Sequence, residues 1–432
     1  MEPLKVGICG LGTVAQGVLS VIQKNTALIN RRAGRIIEIS VVASRNPRPE
    51  VDLHGATFSN DIFEIPLRNE LDVIVELIGG EDDASKVIKL ALENGKHVVT
   101  ANKAVMAIYG EKLLQAASAS KLSLGFEGAI AGSVPIVMNL TEALIANEYE
   151  LIAGIINGTS NYILTAMEKE QKTFQDALRE AQDLGYAEAD PKYDIEGVDA
   201  AHKLSILSAL AFGTSLNFEK VHIEGISSIT LNDIKYAELL GYSVKHLGIT
   251  RRAENGVELR VHPCLVSSEH LMSRVEGSMN AVLVSGNAAG ETLLAGPGAG
   301  ALPTASAVVG DIMRAARSNF MPITVGESGP HILPIADAIN PHYLRIPSLD
   351  RTGVFAKVAT ILSDYNISID AAIQNEQIAV DEGDEGWVPI VILTHAVSES
   401  IMVEALEKVQ KLPDIVGSIT RIRVEHLGTD SK

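Results

Sequence analysis

The chain has few cysteines, few aromatic residues, and fewer basic than acidic residues. Its 432 residues include two cysteines and one tryptophan, and aromatic residues make up 4%. Two cysteines provide no disulfide framework, which excludes a fold held together by disulfides. Basic residues are also scarce, because 36 Lys and Arg oppose 54 Asp and Glu for a formal net charge of −18. Nucleic acid and anionic membranes do not attract such a surface, so we expect small-molecule ligands.

Long apolar runs are missing as well. No uninterrupted run approaches the roughly 18 residues that a membrane-spanning helix needs, and the first residues show no secretory signal pattern. The hydrophobic content of 46% and charged content of 21% are typical of a globular protein. We therefore expect a cytoplasmic protein of two or three domains, at roughly 100 to 200 residues per domain.

A dinucleotide-binding pattern opens the chain. Leu4 to Cys9 form a short apolar strand that leads directly into GLGTVAQG and a helical pattern. Gly10 permits the tight turn, Gly12 lets the backbone approach a pyrophosphate, and Ala15 replaces the third glycine of G-x-G-x-x-G. The strand before and the helix after make this more specific than the glycines alone. The candidate cofactor-binding residues here are Gly10, Gly12, Thr13 and Val14.

The end of the second strand bears on which cofactor binds. The strand Ile36 to Ala43 leads into SRNPR rather than into an acidic residue. An acid at this position would bind a free ribose 2′-hydroxyl, whereas Arg45 could accommodate a 2′-phosphate. NADP(H) is therefore favoured, with NAD(H) still possible. The alternative is that Arg45 and Arg48 are ordinary loop charges.

Further strands and helices alternate up to Phe126, which predicts a parallel, doubly wound Rossmann sheet in residues 1–137. Thr100 and Lys103 follow one of its strands directly, where ligands bind in such sheets. A lysine is disfavoured by the dipole at a helix N-terminus. We therefore interpret Lys103 as functional, with a surface lysine as the alternative.

The regular alternation of strands and helices ends after residue 137. The pattern of residues 138–301 predicts an α+β domain for substrate binding and dimerisation. Its Asn157 to Asn161 turn opens a helix and could hold a carboxylate. A second glycine loop contains Gly298 and Gly300, which would allow close approach to the cofactor. We expect the following helix, 302–317, to pack back on the nucleotide-binding domain.

The most unusual segment runs from Asp183 to Ser208. It places six carboxylates ahead of Lys203 and then turns apolar. Asp199 and Lys203 are four residues apart on a predicted helix, so they share a face that continues into apolar residues. A solvated acidic loop before a core helix is the alternative, but a charged pair above an apolar face indicates a site.

The C-terminal part reads as a proline-rich linker, 318–341, and a ferredoxin-like βαββαβ unit, 342–428. A DRTG turn, Asp350 to Gly353, joins the first strand of this unit to its first helix. Such a turn is a natural ligand loop.

Together these pieces resemble homoserine dehydrogenase with a C-terminal ACT regulatory domain. The resemblance is carried by GLGTVAQG, TANKA, EGAIAGSVP, INGTSNYIL, LGYAEADPKYDIEGVDAAHKLSIL and GPGAGALPTA, and covers nearly the whole chain. The ACT likeness lies in YLRIPSLDRTGVFAKVATILSDYNISIDAAIQ, where Thr352 replaces the usual proline.

The resemblance implies roles for particular residues. Lys203 would be the proton donor, assisted by Asp199, with Lys103 beside the nicotinamide and the substrate. Glu188 would hold the substrate ammonium, and Asp194 would line the pocket, although helix capping or solvent exposure remain alternatives for Asp194. The other implied positions are substrate-binding Gly158 and Thr159, cofactor-binding Gly185, Na⁺-binding Glu127, Ile130, Gly132 and Val134, and allosteric Asp350, Gly353, Val354 and Asn366.

The implied reaction is reversible hydride transfer between NAD(P)H and L-aspartate 4-semialdehyde, giving L-homoserine. L-Threonine is the expected effector, and a homodimer or homotetramer the expected assembly. A second enzyme, aspartate-semialdehyde dehydrogenase, would need a cysteine nucleophile, yet Cys9 lies in a strand and Cys264 in a hairpin. A non-catalytic sensor of nucleotides and amino acids is the alternative from another class.

Overall fold

The computed structural model describes residues 2–317, 323, 325–326, 329–374 and 387–428. The chain forms two compact units. The first unit comprises Met1–Ile156, Ala201–Val221 and Asn280–His331, and the second comprises Asn157–Ala200, His222–Met279 and Ile332–Lys432. Among the described residues, no helix has the length and apolar character needed to cross a membrane.

The described strands are, in chain order, β1 (Leu4–Cys9), β2 (Ile37–Ala43), β3 (Thr57–Ser59), β4 (Val73–Glu76), β5 (His97–Thr100), β6 (Leu124–Gly125), β7 (Tyr149–Ile155), β8 (His222–Ile223), β9 (Tyr242–Ala253), β10 (Gly256–Ser267), β11 (Met279–Gly286), β12 (Gly290–Pro297), β13 (Ile339–Asn340), β14 (His342–Leu349), β15 (Ile369–Ile373), β16 (Trp387–Thr394), β17 (Val397–Ser398) and β18 (Thr420–Glu425).

The described helices are, in chain order, α1 (Thr13–Ala33), α2 (Asp82–Glu93), α3 (Lys103–Ala119), α4 (Ile136–Met138), α5 (Gly158–Glu170), α6 (Phe174–Asp183), α7 (Lys192–Ile195), α8 (Val198–Phe212), α9 (Leu231–Leu239), α10 (Ala301–Ala316), α11 (Val354–Asp364) and α12 (Glu399–Gln410).

A parallel sheet forms the centre of the first unit. Its strand order is β3-β2-β1-β4-β5-β6, which is the order of dinucleotide-binding folds. Strand β4 is buried along its whole length, as expected when helices cover both faces of a parallel sheet. The predicted Rossmann fold is confirmed. Helix α1 continues to Ala33 and ends at a left-handed cap at Gly34.

Helix α10 shares the core of this sheet although it is distant in sequence. Its buried residues Val308 and Ile312 belong to the same apolar cluster as Val6 and Ile8 of β1. The other strands of this unit, β7 and β11, pair antiparallel, and β12 lies beside β11. The cofactor-binding turn and α10 therefore rest on one core.

The second unit contains a long hairpin and the C-terminal sheet. Strands β9 and β10 pair antiparallel over their full length, and the turn between them consists of Glu254 and Asn255. Strands β18-β14-β16-β15 form an antiparallel sheet in the order 4-1-3-2 of their sequence, and α11 and α12 share its core cluster. The predicted ferredoxin-like fold is confirmed. Residues 318–322, 324 and 327–328 of the predicted linker lie outside the described residues.

A buried ionic network accompanies the parallel pairing of β18 with β10. Arg423 is 1% exposed and hydrogen bonds to Glu224 at 2.9 Å through each terminal nitrogen and to Glu399 at 2.7 and 3.0 Å. Burial alone would raise the pKa of Glu399, but hydrogen bonds from His342 and Arg423 outweigh it and lower this pKa to about 2. The C-terminal sheet is therefore joined to the hairpin by ion pairs whose separation would cost free energy.

Removing Arg423 should destabilise the protein strongly. In Arg423→Ala, the half-buried Glu224 and the buried Glu399 lose the arginine that hydrogen bonds to both of them, although Arg421 still lies near each. The loss should cost about 3–5 kcal/mol of unfolding free energy. Urea denaturation followed by circular dichroism measures the loss. The control Arg351→Ala removes an arginine that is 67% exposed and lies 3.5 Å from Asp414, and should cost at most about 1 kcal/mol. Equal losses in both variants would contradict the network's role.

Candidate active site

The turn between β1 and α1 has the geometry of a pyrophosphate-binding loop. Gly10 has φ +110°, and a Cβ there would overlap the backbone carbonyl of Leu77. Gly12 is the N-cap of α1, and no heavy atom lies within 4 Å of the position its Cβ would take. Thr13 is exposed, Val14 is half-buried and Ala15 is fully buried beneath them. The open backbone at Gly12 and the N–H groups of the first helical turn suit an anion.

Arg45 follows β2 and presents its side chain to solvent. The side chain is 72% exposed, and its nearest acid is Asp83, with Nη1 3.9 Å from Oδ2. An ion pair this long and this exposed contributes little stability. The guanidinium is therefore available to a ligand, which keeps open its predicted role as a 2′-phosphate contact.

A chain of hydrogen bonds positions the segment that carries Lys103. The Glu76 carboxylate accepts from the Thr100 hydroxyl at 2.6 Å and from the Ile78 backbone N–H at 2.8 Å. The Thr100 hydroxyl oxygen accepts from the Asn102 N–H at 3.0 Å, and the Asn102 side chain caps α3. Lys103 is thereby fixed as the first residue of α3, half-buried, at the carboxyl end of β5.

Glu76 was not among the sequence-predicted site residues. It is fully buried, and burial raises the pKa of its carboxyl group, although the hydrogen bond from Thr100 works against the rise. The sequence feature that could have indicated Glu76 is its place as the one acid at the end of an otherwise apolar strand, VIVE. A buried acid with this arrangement orders the polar loop after the next strand.

The second glycine loop packs against the loop that follows β6. Gly132 has φ +60°, and a Cβ there would overlap the carbonyl of Gly298. The Ser133 N–H and hydroxyl both donate to the Pro297 carbonyl, at 3.1 and 3.0 Å. A Cβ at Gly298 would in turn overlap the Asn280 side chain. Glycine at 132 and 298 is therefore required by close backbone packing, and Gly300 serves as the exposed N-cap of α10.

Glu127 is a buried carboxylate with fixed geometry. Its two oxygens accept from the backbone N–H groups of Val137 and Met138, each at 2.8 Å. Its own N–H donates to Asp311 at 3.0 Å, and Arg314 of α10 lies 3.7 Å from its carboxylate. Burial, aided by the charge of Asp311, raises the pKa of Glu127 to about 7.

This loop offers oxygen atoms of the kind that hard cations bind. Ile130 is 1% exposed and Gly132 is buried, and their backbone carbonyls accept no hydrogen bond from any residue that the structure describes. Val134 is 2% exposed, and its carbonyl accepts from the Ile136 N–H at 2.8 Å. A carboxylate with buried carbonyl oxygens is the donor set that hard cations prefer.

Helix α8 carries the predicted catalytic pair. Asp199 lies in its first turn and is 2% exposed, and Lys203, one turn later, is 9% exposed. The Lys203 ammonium donates to the Ile156 carbonyl, just beyond β7, at 2.7 Å. Lys203 is thus a buried amine held by a backbone carbonyl, rather than a solvated charge.

In the second unit, the start of α5 meets two of the predicted carboxylates. Asn157 Nδ2 donates to Asp194 Oδ1 at 2.8 Å and to Asp199 Oδ2 at 3.0 Å. The Thr159 hydroxyl donates to the Tyr186 carbonyl at 2.7 Å and lies 3.4 Å from the Asp194 carboxylate. The structure therefore brings Thr159, Asp194 and Asp199 together, and adds Asn157, which the sequence suggested only as part of a turn.

The remaining predicted substrate and cofactor positions lie on the surface of this unit. Glu188 is exposed, and its backbone carbonyl accepts from Gln182 at 3.1 Å. Gly185 is exposed with φ +75°, and Gly158, the first residue of α5, is half-buried. Glu188 and Gly185 are therefore accessible to a ligand, whereas Asp199 is 2% exposed.

The predicted effector loop lies at the start of α11. Asp350, Gly353 and Asn366 are exposed, whereas Val354 is 3% exposed and belongs to the domain core. Gly353 has φ +86° and Asn366 has φ +56°. Three of the four predicted positions are therefore available to an effector or to a second chain.

Both cysteines are buried. Cys9 and Cys264 are each 0% exposed, and burial raises the pKa of both thiols. A catalytic cysteine must be accessible and form a thiolate. The alternative chemistry of aspartate-semialdehyde dehydrogenase, which the sequence analysis considered, therefore lacks its nucleophile.

Comparisons with known proteins agree with this geometry. Family models described as homoserine dehydrogenase NAD binding domain, homoserine dehydrogenase and ACT domain match residues 10–127, 135–313 and 342–414. The homoserine dehydrogenase of Pseudomonas aeruginosa is 47% identical over 439 residues, covering 99% of this chain and 100% of that protein.

Solved structures give the same result. The chain resembles the crystal structure of a homoserine dehydrogenase from Thiobacillus denitrificans with 46% identity and a TM-score of 0.92, covering 99% of each chain. It also resembles a hyperthermophilic archaeal homoserine dehydrogenase in complex with NADPH, with 27% identity, a TM-score of 0.63, and coverage of 74% of this chain and 100% of that one.

Proposed function

This chain belongs to the homoserine dehydrogenase family, and on that premise we propose how its residues divide the work of the reaction. The enzyme is an oxidoreductase that interconverts L-aspartate 4-semialdehyde and L-homoserine with a nicotinamide cofactor. We further propose that the chain divides into a nucleotide-binding domain of 1–137, a substrate and dimerisation domain of 138–301, a linker of 318–341 and a regulatory domain of 342–428. The residue roles, cofactor preference, cation and effector below are proposals.

The observation that carries the catalytic proposal is the buried Lys203 ammonium on the Ile156 carbonyl. When the carbonyl carbon of the aldehyde gains a hydride, negative charge develops on its oxygen, and a fixed cation stabilises that charge. Lys203 supplies this cation and then the proton that completes the hydroxyl group. We assign to Asp199, one turn earlier on α8, the role of orienting Lys203 or a bridging water. Lys103, fixed at the start of α3, supplies a second positive charge for the substrate.

Substrate recognition is assigned to the second unit. Glu188 holds the ammonium of the substrate, and Asp194, Asp199, Gly158 and Thr159 provide the polar contacts that fix its orientation. The support is that Thr159 and Asp194 already lie 3.4 Å apart at the start of α5. A buried polar group left without its partner penalises ligands that lack the matching groups.

We assign NADP(H) as the preferred cofactor, with NAD(H) as the weaker one. The bound nicotinamide supplies the hydride. Gly10, Gly12, Thr13 and Val14 bind the pyrophosphate through backbone N–H groups, and Arg45 contacts the 2′-phosphate. The list of proposed cofactor contacts is completed by Thr100, Lys103, Gly185, Gly298 and Gly300.

We assign Na⁺ to the loop after β6, held by the Glu127 carboxylate and the carbonyls of Ile130, Gly132 and Val134. Its contribution would be structural, because it offsets the charge of a buried carboxylate beside Asp311. The ACT domain fits an amino-acid effector, which we take to be L-threonine, acting at Asp350, Gly353, Val354 and Asn366. We expect a homodimer or homotetramer.

Replacing Lys203 by alanine should abolish most turnover. Losing the proton donor and its positive charge should lower kcat by about 100- to 10,000-fold, whereas the dissociation constant of NADPH should stay unchanged. Turnover is measured by NADPH absorbance and binding by NADPH fluorescence. The control Lys172→Ala removes a surface lysine that pairs with Glu180 and should have normal kinetics. Wild-type turnover in Lys203→Ala would remove this residue from the mechanism.

Sodium should stabilise the wild-type enzyme, and Glu127→Gln should remove the effect. A bound cation stabilises the folded state by about 2.7 kcal/mol at one hundred times its Kd. Thermal melting in NaCl is compared with melting in choline chloride at the same ionic strength. Glu93→Gln, which changes a surface acid 3.8 Å from Lys89, should keep the sodium response. A wild-type melting temperature that is indifferent to sodium would refute the assignment.

L-Threonine should inhibit the wild-type enzyme, and Asp350→Asn should weaken that inhibition. Loss of one charge-assisted contact to the effector ammonium should raise the half-inhibitory concentration about tenfold or more, with kcat unchanged in the absence of threonine. Initial rates at increasing threonine concentrations measure the shift. The control Glu404→Gln changes an exposed residue on α12, and L-threonine should inhibit this variant as strongly as the wild-type enzyme. An enzyme that threonine does not inhibit would refute the proposed effector.

A further inference from the structure

The amide of Asn157 connects two carboxylates that belong to different helices. Asn157 is 6% exposed and is the N-cap of α5. Its single side-chain nitrogen donates to Asp194 on α7 at 2.8 Å and to Asp199 on α8 at 3.0 Å. A primary amide has two N–H groups, so both are committed to carboxylates.

The orientation of this amide is fixed by the backbone. Asn157 Oδ1 accepts the N–H of Ser160 at 2.8 Å, which is the capping bond of α5. A flipped amide would turn its N–H groups toward the Ser160 N–H and its oxygen toward two carboxylates. The flipped state would lose three hydrogen bonds and add like-charge repulsion, so one orientation is enforced.

The electrostatic consequence concerns Asp194 and Asp199 together. Oxygens of both carboxylates lie within 3.0 Å of one nitrogen, and two anions this close oppose each other's ionisation. Hydrogen bonds donated to carboxylates favour the charged forms and are stronger than neutral ones. Asn157 therefore offsets part of the repulsion between the two carboxylates.

We propose that Asn157 is a positioning residue for the dehydrogenase reaction, which keeps Asp194 and Asp199 ionised and at a fixed separation for the zwitterionic amino-acid substrate. This inference rests on the substrate-binding roles proposed above for those two aspartates. Asn157 acts through them, because its nitrogen donates to the two carboxylates and its oxygen accepts from the Ser160 N–H. Its identity as an amide is essential, because only an amide both caps α5 and donates twice.

Two substitutions separate capping from bridging. Asn157→Ser and Asn157→Asp both keep an oxygen that can cap α5, but neither has the amide N–H groups. In Asn157→Ser, kcat/KM for L-homoserine should fall about 10- to 100-fold, while KM for the cofactor stays constant. Asn157→Asp adds a third carboxylate, so its activity relative to wild type should rise as the pH falls, because a bound proton restores one donor.

Thr173→Ala is the matched structural control, because it removes the capping bond of helix α6, in which the Thr173 hydroxyl oxygen accepts from the Asp176 N–H at 3.2 Å. It should lower the melting temperature and leave both the pH profile and kcat/KM unchanged. Folded Asn157 variants with wild-type kcat/KM and a wild-type pH profile would overturn the positioning role alone. A wild-type enzyme that does not oxidise L-homoserine would instead overturn the function on which it rests.

Discussion

The hydrogen bond from the Lys203 ammonium to the Ile156 carbonyl is the interaction on which the catalytic account depends. An amine that is 9% exposed has lost most of its water, and burying a charge without compensation is costly. The carbonyl beyond β7, at 2.7 Å, replaces part of that water. It also fixes the amine in position before any substrate arrives, which is the condition for electrostatic stabilisation of developing charge.

The same constraint shapes the other buried charges. The Glu127 carboxylate accepts hydrogen bonds from two backbone N–H groups and lies near Arg314. The Glu76 carboxylate accepts from the Thr100 hydroxyl. Arg423 forms ion pairs with two glutamates. Each charge has fixed partners on a different element, so each one ties a loop or helix to its neighbour. In the second unit this principle connects the regulatory sheet to the β9–β10 hairpin, because Arg423 lies where β18 pairs with β10. An effector bound to that sheet would therefore act on an element already coupled to the hairpin.

The sequence predicted the fold well because its local signals agreed. Apolar strands, a glycine turn and helical periodicity identify the Rossmann sheet, and the βαββαβ pattern identifies the C-terminal domain. Candidate site residues could be predicted where the relevant side chains lie close in sequence, as with Asp199 and Lys203 on one helix. Glu76 and the Asp311 partner of Glu127 were missed, since Asp311 is 184 residues from Glu127 and no local pattern reports such a contact. Asn157 was predicted only as part of a turn that opens a helix, because its two carboxylate partners depend on how α7 and α8 pack.

The most direct measurement of the central claim is the rate of NADPH consumption by the wild-type enzyme after addition of L-aspartate 4-semialdehyde, compared with NADH under the same conditions. The account predicts rapid loss of NADPH absorbance with L-homoserine as product, and a lower kcat/KM with NADH. No consumption of either cofactor, with folded protein and authentic substrate, would contradict the assignment of Lys203 and its neighbours as a hydride-transfer site.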